Sequence, residues 1–259
     1  MKSRRHNRLK SAAGAFLFCG FLLTSSVINA QTTDSSDTYH LYLEPYLLAP
    51  SMSGTIGIGQ LPKTFICVPA SELFKYFQIG GMLYAEVHNN RFAYTSDLLY
   101  ASLGQDASSK NGVISGKVTV KQFWWELAGL YKVKPWLEFG VGARINSITN
   151  GLNINVPGPS NKNVSKGATW VDPIIVTRLK GAINNKWLLQ LRADMGGFGI
   201  GSQFAWQLQP DIYYRASRLL ELGLGYRIIS MDYNKGSGDN RFLYDIEEYG
   251  PQLRIGFNL

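Results

Sequence analysis

The sequence predicts an all-β chain that folds as a transmembrane, antiparallel, up-and-down β-barrel of ten strands. Charged residues make up 17% of the 259 residues, whereas aromatic residues reach 13% and glycines number 27. A soluble domain carries about 25% charged residues. Beyond the N-terminal region, no segment approaches the roughly 20 apolar residues that a spanning helix needs. The two cysteines are too few for a disulfide framework. These observations favour a membrane barrel over helical membrane proteins, disordered chains and disulfide scaffolds.

Residues 1–30 have the composition of a cleaved secretory signal. The basic segment KSRRHNRLK precedes the apolar segment AAGAFLFCGFLL, and the small Ala30 suits the last position before cleavage. The segment contains five basic residues and no acidic one, so its removal lowers the formal net charge from +8 to +3. The sequence therefore predicts a signal peptide over 1–30, a barrel domain over 31–259 and no binding to nucleic acid.

Alternation with a period of two residues is the main signal for the strands. In the segment 218–232, Leu220 and Leu222 share one face, whereas Glu221 and Arg227 share the other. An amphipathic helix would space such residues three and four apart. The same alternation, in stronger or weaker form, predicts ten strands at about 40–50, 76–88, 91–103, 116–132, 136–147, 166–180, 187–195, 202–216, 218–232 and 248–259.

Short and long connectors alternate between these strands. Short turns lie at 88–91, 134–135, 184–186 and 216–217, and long connectors lie at about 51–75, 104–115, 148–165 and 233–241. Short turns on one side and long loops on the other are typical of bacterial outer-membrane barrels. An even count of ten places both termini on the short-turn side, and eight strands is the alternative if a weak segment is a loop.

Three local features carry separate predictions. The apolar face switches near Lys121 and Gln122, which predicts a β-bulge. The segment 69–76 can form a short helical turn, although an ordered loop is the favoured interpretation. Cys67 is interpreted as a buried thiol without a partner.

Charged side chains fall on the predicted inward face of the barrel. Buried charges are retained when opposite charges pair with them, so we predict a paired network that fills a narrow lumen. Its members are Asp97, Arg144, Asp172, Arg178, Arg192, Asp194, Arg227, Glu248 and Arg254. They are accompanied by Glu86, Glu126, Glu138, Asp211 and Glu221. An active-site carboxylate pair among Asp172, Asp194 and Glu248 is the alternative.

Histidines and tryptophans bear on catalysis and on membrane anchoring. Beyond the signal the chain has two histidines, His40 and His88, and both map to the short-turn rim, away from the outer leaflet. One thiol and two dispersed imidazoles do not make a zinc site. The sequence therefore predicts no enzyme, no metal and no cofactor. Tryptophans near strand ends predict interfacial girdles at Trp124, Trp125, Trp136, Trp170, Trp187 and Trp206.

Two longer motifs carry a family resemblance. They are WVDP at 170–173 and RADMGGFGIGS at 192–202, with shorter matches such as SDLLY at 96–100. With these motifs the chain resembles small proteobacterial outer-membrane β-barrels of the OmpW-like superfamily, most strongly over 168–257. The resemblance implies a location in outer-membrane lipid and lipopolysaccharide and folding by the barrel-assembly machinery. We also predict a monomer. The chain departs from such barrels at its end, where Leu259 stands in place of an aromatic residue.

The predicted function is a structural or narrow-channel role in the outer membrane of a Gram-negative bacterium. Small or partly apolar solutes are the candidate cargo. Two alternatives stay open from the sequence. One is a barrel enzyme that acts on lipid or peptide, and the other is a surface binding module that uses the loop 148–165, which is rich in Asn, Gly and Pro.

Overall fold

The computed structural model describes residues 38–60, 62–108, 115–155 and 162–259. The predicted signal segment 1–30 lies outside these residues. Within them, the one α-helix, α1 (Ala70–Lys75), is short, and no helix has the length and apolarity to cross a membrane. The strands are β1 (His40–Leu48), β2 (Ser51–Ile58), β3 (Thr64–Val68), β4 (Phe77–His88), β5 (Phe92–Ser108), β6 (Ser115–Lys134), β7 (Leu137–Asn155), β8 (Lys162–Ala182), β9 (Trp187–Gly196), β10 (Phe204–Arg215), β11 (Leu220–Lys235) and β12 (Phe242–Asn258).

Ten of these strands close into an antiparallel barrel, which confirms the predicted fold class and strand number. Strands β4 to β12 pair in chain order, and β1 joins β4 on one side and β12 on the other. Leu41 and Leu259 exchange backbone hydrogen bonds of 3.3 and 2.8 Å, so the first and last strands meet at the short-turn end. Closure leaves these ten strands without a free edge in the part of the wall that they form.

The two faces of the wall have opposite chemistry. On the outer face, Val141 is 64% exposed and Leu224 is 59% exposed, whereas the inward-facing Arg144 and Arg227 are fully buried. This is the reverse of a soluble protein, whose apolar side chains lie inside. Hydrocarbon around the barrel accounts for the arrangement, because lipid covers the outer apolar side chains.

Several strands are longer than the sequence predicted. A barrel strand crosses a membrane in about 9–11 residues, whereas β6 has 20 residues and β8 has 21. These strands extend past the membrane at the long-loop end. The described residues of the predicted connectors 104–115 and 148–165 are all strand, and 109–114 and 156–161 within them lie outside the described residues. There the outer face meets water and inward side chains such as Ile148 are buried in the lumen, so the alternation that marks a strand in lipid fades.

The predicted first long connector, 51–75, also has regular structure. After a break at Ala49 and Pro50, β2 continues along β12, and β3 pairs with β2 as a hairpin. The segment after Pro69 forms α1 rather than the favoured ordered loop, because the amides of Glu72 and Leu73 donate to the Pro69 carbonyl at 3.0 and 3.2 Å. Cys67 lies exposed on β3, so its interpretation as a buried thiol is wrong.

The predicted bulge at Lys121 and Gln122 is wrong. Both residues pair in unbroken register with β5, where Lys121 lies opposite Ser102, and in unbroken register with β7. Val120 and Gln122 share the inward face with Trp124, since side chains alternate along a regular strand. The apolar face switches in the sequence because the lumen itself becomes apolar above this point.

Candidate functional site in the barrel lumen

The inward-facing side chains form three regions along the lumen. The inward-facing residues of β7 mark the height along the lumen. From the short-turn end, Glu138 comes first, Arg144 follows six residues later and Ile148 four residues after that. We call these regions the lower cluster, around Arg178 and Glu138; the septum, around Trp124; and the upper cavity, which Ile148 lines. Each has a different chemistry.

Trp124 lies at the centre of the septum between two guanidinium groups. The guanidinium carbons of Arg144 and Arg227 lie 4.3 and 4.8 Å from the centre of the Trp124 ring, and Trp124 is 1% exposed. Cation–π contacts away from water contribute about 2 kcal/mol or more each. Two arginines from different strands, Arg144 on β7 and Arg227 on β11, thus hold the indole inside the lumen.

Arg144 belongs to a cluster of four alternating charges. Its guanidinium donates to Glu126 at 3.1 and 2.7 Å and to Asp194 at 2.5 Å. Arg192 contacts the other oxygen of Glu126 and lies 3.7 Å from Asp194. Each buried carboxylate therefore meets two arginines, which offsets the cost of removing the charges from water.

Arg227 is the second arginine that contacts the indole. It donates to Gln207 at 2.9 and 2.7 Å and to the Tyr46 hydroxyl at 2.9 Å, and it pairs with Asp97 at 3.1 Å. Tyr46 in turn donates to Asp97 at 2.7 Å. The three partners come from β1, β5 and β10, so Arg227 on β11 joins its neighbour β10 to two strands, β1 and β5, that do not pair with β11.

Arg254 extends the septum toward the short-turn end. It forms a two-pronged ion pair with Glu44, with N–O distances of 2.8 and 3.0 Å, and its guanidinium carbon lies 4.6 Å from the Tyr46 ring centre. Arg254 also donates to Gln252 at 3.2 Å, and Gln252 donates to Asp211 at 2.5 Å. The planar fork of arginine suits such bidentate pairing.

The lower cluster is centred on Arg178. It donates to Glu138 at 2.5 Å and to the Tyr84 hydroxyl at 2.7 Å, and it pairs with Glu86. A pocket of about 150 Å³ lies beside it, lined by Glu86, Arg178, Arg215 and Glu221 among others.

The two histidines meet at this short-turn end. The rings of His40 and His88 lie 5.7 Å apart, since the two residues are directly opposite each other on β1 and β4. Nδ1 of His88 lies 3.3 Å from Glu86.

Asp172 has no basic partner among the described residues and instead holds a loop. It accepts hydrogen bonds from Asn146 at 3.0 Å, from the Trp170 indole at 3.1 Å, and from the Ser202 amide and hydroxyl at 2.6 and 2.9 Å. A Cβ at Gly201 would lie 2.3 Å from Asp172 Oδ1, so only glycine fits there. The GFGIGS run is therefore a loop that Asp172 fixes to the inner wall.

Glu248 is the second predicted network member that forms no ion pair among the described residues. Tyr244 and Gln122 donate to its Oε1 at 2.8 and 2.9 Å, and the residue is 3% exposed. The remaining seven predicted members, all 0–5% exposed, take part in ion pairs: Asp97, Arg144, Arg178, Arg192, Asp194, Arg227 and Arg254.

The upper cavity was not predicted from the sequence. It has a volume of about 180 Å³, and its lining is mainly aliphatic and aromatic, with Gln122 and Asn150 as exceptions. The signal was present on β7, where the cavity-lining Ile148 continues the same face as Glu138 and Arg144. An inward face that changes from charged to apolar along one strand indicates such a cavity.

The predicted tryptophan girdle is correct for some positions and wrong for others. Trp136 and Trp187 follow short turns and are 56% and 39% exposed on the outer wall. Trp124 and Trp170 are instead buried inside the lumen, where Trp170 stacks on Tyr233 with ring centres 4.0 Å apart. Even-numbered positions of β6 and β8 face inward, so these two indoles cannot reach lipid.

Comparison with solved structures identifies the class of fold. The structure aligns with the outer membrane protease OmpT of Escherichia coli at a TM-score of 0.51, with 7% identity over 88% of this chain and 99% of that one. The fold is that of an outer-membrane β-barrel. The attachment invasion locus protein Ail of Yersinia pestis aligns at a TM-score of 0.36 and 8% identity, over 86% of this chain and 99% of that one. No family model and no curated protein sequence matches the chain. The narrower resemblance to the OmpW-like superfamily stays a prediction.

The comparison also corrects the prediction that the chain is not an enzyme. That prediction is contradicted because a barrel of this architecture houses a protease. At 7% identity the likeness concerns the fold, and it carries no residue role to this chain. The histidine positions therefore do not serve to exclude catalysis.

Proposed function

We propose that the protein is a narrow outer-membrane channel for small, partly apolar solutes, closed at the septum in the described conformation. The observation that carries the proposal is the arrangement of two cavities on opposite sides of one layer of side chains. The upper cavity of about 180 Å³ and the lower pocket of about 150 Å³ share no lining residue, and Trp124 and its arginines lie between them.

The tight burial of the septum supports the closed state. Trp124, Arg144 and Arg227 are each at most 1% exposed. Their contacts tie β6 and β7 to β11, which places a solid layer across the lumen. A barrel filled this way passes solute only when the indole or its arginines move.

The unfilled volume of the upper cavity and the lower pocket supports the passage of solutes rather than a purely structural role. Protein interiors pack closely and leave few voids larger than a water molecule. A water molecule occupies about 30 Å³, so each cavity has room for several groups of the size of a water molecule. The apolar lining of the upper cavity, with Ile56, Ile66 and Leu73 from β2, β3 and α1, favours solutes with a hydrocarbon portion.

Conductance across planar bilayers tests the proposal. Wild-type protein should show low conductance with brief openings, and Trp124→Ala should raise the conductance because it removes the side chain that both arginines hold. Trp125→Ala is the matched control, since the next residue on β6 points to the outer face of the wall. Flat traces at all voltages for both wild type and Trp124→Ala would contradict a channel.

A further inference from the structure

Glu248 differs from the ion-paired carboxylates of the lumen. Both of its hydrogen bonds, from Tyr244 and Gln122, reach Oε1, and Oε2 has no hydrogen-bond partner among the described residues. The residue is nevertheless 3% exposed. Oε2 is not one of the fully enclosed, unpartnered atoms of the described residues, so it borders open space. A largely buried carboxylate oxygen with no partner in the protein still has a demand for a donor or a cation.

No basic group of the described residues meets this demand. No Lys, Arg or His nitrogen there lies within 4.0 Å of Glu248, whereas Glu44, Glu86 and Glu126 each pair with an arginine. The guanidinium of Arg227 in the septum is already occupied by Gln207, Tyr46 and Asp97.

Glu248 lies beside the upper cavity through the two side chains that hold it. Tyr244 and Gln122 both line that cavity, and Met52, which lines it too, is directly opposite Glu248 in the pairing of β2 with β12. An apolar cavity with a few convergent polar groups is the common form of a small-ligand site. Because Glu248 is a carboxylate, such a ligand would carry a positive charge.

The cavity also limits the size of the ligand. A volume of about 180 Å³ corresponds to about six groups of roughly 30 Å³ each. The aromatic rings of Tyr244 and Phe242 in the lining add surfaces that attract a cation.

We infer that the upper cavity selects small amphiphilic cations, in which a short hydrocarbon chain ends in an ammonium group that pairs with Glu248. This inference rests on the proposed function, because it names the class of solute that the upper cavity holds. A neutral hydroxyl can also donate to Oε2. Comparison of 1-pentanol with pentylammonium distinguishes an alcohol ligand from a cationic one.

The chain carries its own reporters for a binding test. Met52 lines the upper cavity, whereas Met195 is 50% exposed on the outer face and reports on partition into detergent or lipid. Folded protein labelled with ¹³C at the methionine methyl groups would be titrated at pH 7 with pentylammonium, 1-pentanol and pentanoate. The three probes are close in size and differ in charge, and an alkylammonium is protonated at this pH, as lysine is.

Pentylammonium should shift the Met52 resonance at a concentration at least tenfold lower than 1-pentanol, and pentanoate should bind more weakly than either. Glu248→Gln should bring pentylammonium and 1-pentanol to within about twofold of each other. Glu247→Gln, a change at the neighbouring, exposed carboxylate of β12, should leave the preference intact. Heat-modifiable gel migration checks that both variants fold.

The outcomes separate this inference from the proposed function. If 1-pentanol binds and pentylammonium binds no more tightly, or if Glu248→Gln keeps the preference, selection of cations is overturned and the apolar site stands. If no probe moves Met52, or if Met52 and Met195 move together, the upper cavity holds no solute and both proposals fail.

Discussion

The guanidinium carbon of Arg144 lies 4.3 Å from the centre of the Trp124 ring while the same group donates to Glu126 and Asp194. One side chain thus joins an aromatic contact to an ion-pair cluster. Trp124 cannot leave the lumen axis without disturbing Arg144, and Arg144 cannot move without leaving two buried carboxylates short of a partner. This coupling makes the septum a single mechanical unit.

Loss of Arg144 should destabilise the barrel strongly. Arg144→Met should lower the free energy of unfolding by about 3–5 kcal/mol, because Glu126 and Asp194 keep their charges with one arginine fewer. The double variant Glu126→Gln/Arg144→Met should lose less than the sum of the two single changes. Urea unfolding in lipid vesicles, followed by gel mobility, measures these values. Arg218→Met, at an exposed turn, should change the unfolding free energy by less than about 0.5 kcal/mol, and a similar loss there would argue against a special role for Arg144.

Asp172 should control the order of the loop 197–203. Asp172→Asn removes the charge that the Ser202 amide and the Trp170 indole donate to, at a cost of about 1–3 kcal/mol. Amide exchange in this loop should accelerate by tenfold or more, as measured by hydrogen exchange with mass spectrometry. Asp245→Asn, on an exposed carboxylate of β12, should leave the loop unchanged. Equal exchange in the two variants would show that other contacts hold the loop.

Two glycines of the wall should differ in their tolerance of alanine. A Cβ at Gly142 would lie 2.2 Å from the Leu127 carbonyl oxygen, whereas a Cβ at Gly181 meets nothing within 4 Å. Gly142→Ala should therefore lower the free energy of unfolding by about 1–3 kcal/mol through overpacking. Gly181→Ala should have little effect. Urea unfolding of both variants checks the difference, which vanishes if the strands can separate locally without cost.

The strands in lipid were predictable because the membrane imposes a strict rule on them. Leu220 and Leu222 must face hydrocarbon and Glu221 must not, so the alternation in β11 fixes both the element and its faces. The same rule located Arg144 and Arg227 in the lumen. Strand pairing then followed from the short turns, as the observed order β4 to β12 shows.

The partners within the lumen were not predictable from the strands alone. Arg144 and Asp172 are directly opposite each other on β7 and β8, yet Arg144 reaches Glu126 and Asp194 while Asp172 holds Ser202. A long arginine side chain can reach several carboxylates across a narrow lumen. Strand tilt and side-chain rotamers decide which carboxylate it pairs with, and alternation does not encode them.

The prediction for the long-loop end of the barrel was wrong for a different reason. Above the membrane both faces of β6, β7 and β8 meet water or other protein, so lipid no longer enforces alternation. The sequence therefore predicts loops where β7 extends to Asn155 and where β2 and β3 form a hairpin. The apolar positions there, such as Val120 and Ile148, line the upper cavity instead of facing lipid.

Two-sided labelling of single cysteines tests the septum most directly. In a Cys67→Ser background, Asn150→Cys places a thiol in the upper cavity and Leu188→Cys places one in the lower pocket. The protein would be reconstituted in vesicles with one orientation and treated from one side with a membrane-impermeant anionic methanethiosulfonate. The rate of labelling would be measured by mass spectrometry.

With Trp124 in place, Asn150→Cys should react only from the long-loop side and Leu188→Cys only from the short-turn side. Adding Trp124→Ala should let each thiol react from both sides, because the layer that Arg144 and Arg227 hold is then open. Labelling of either thiol from both sides while Trp124 is present would contradict a closed septum.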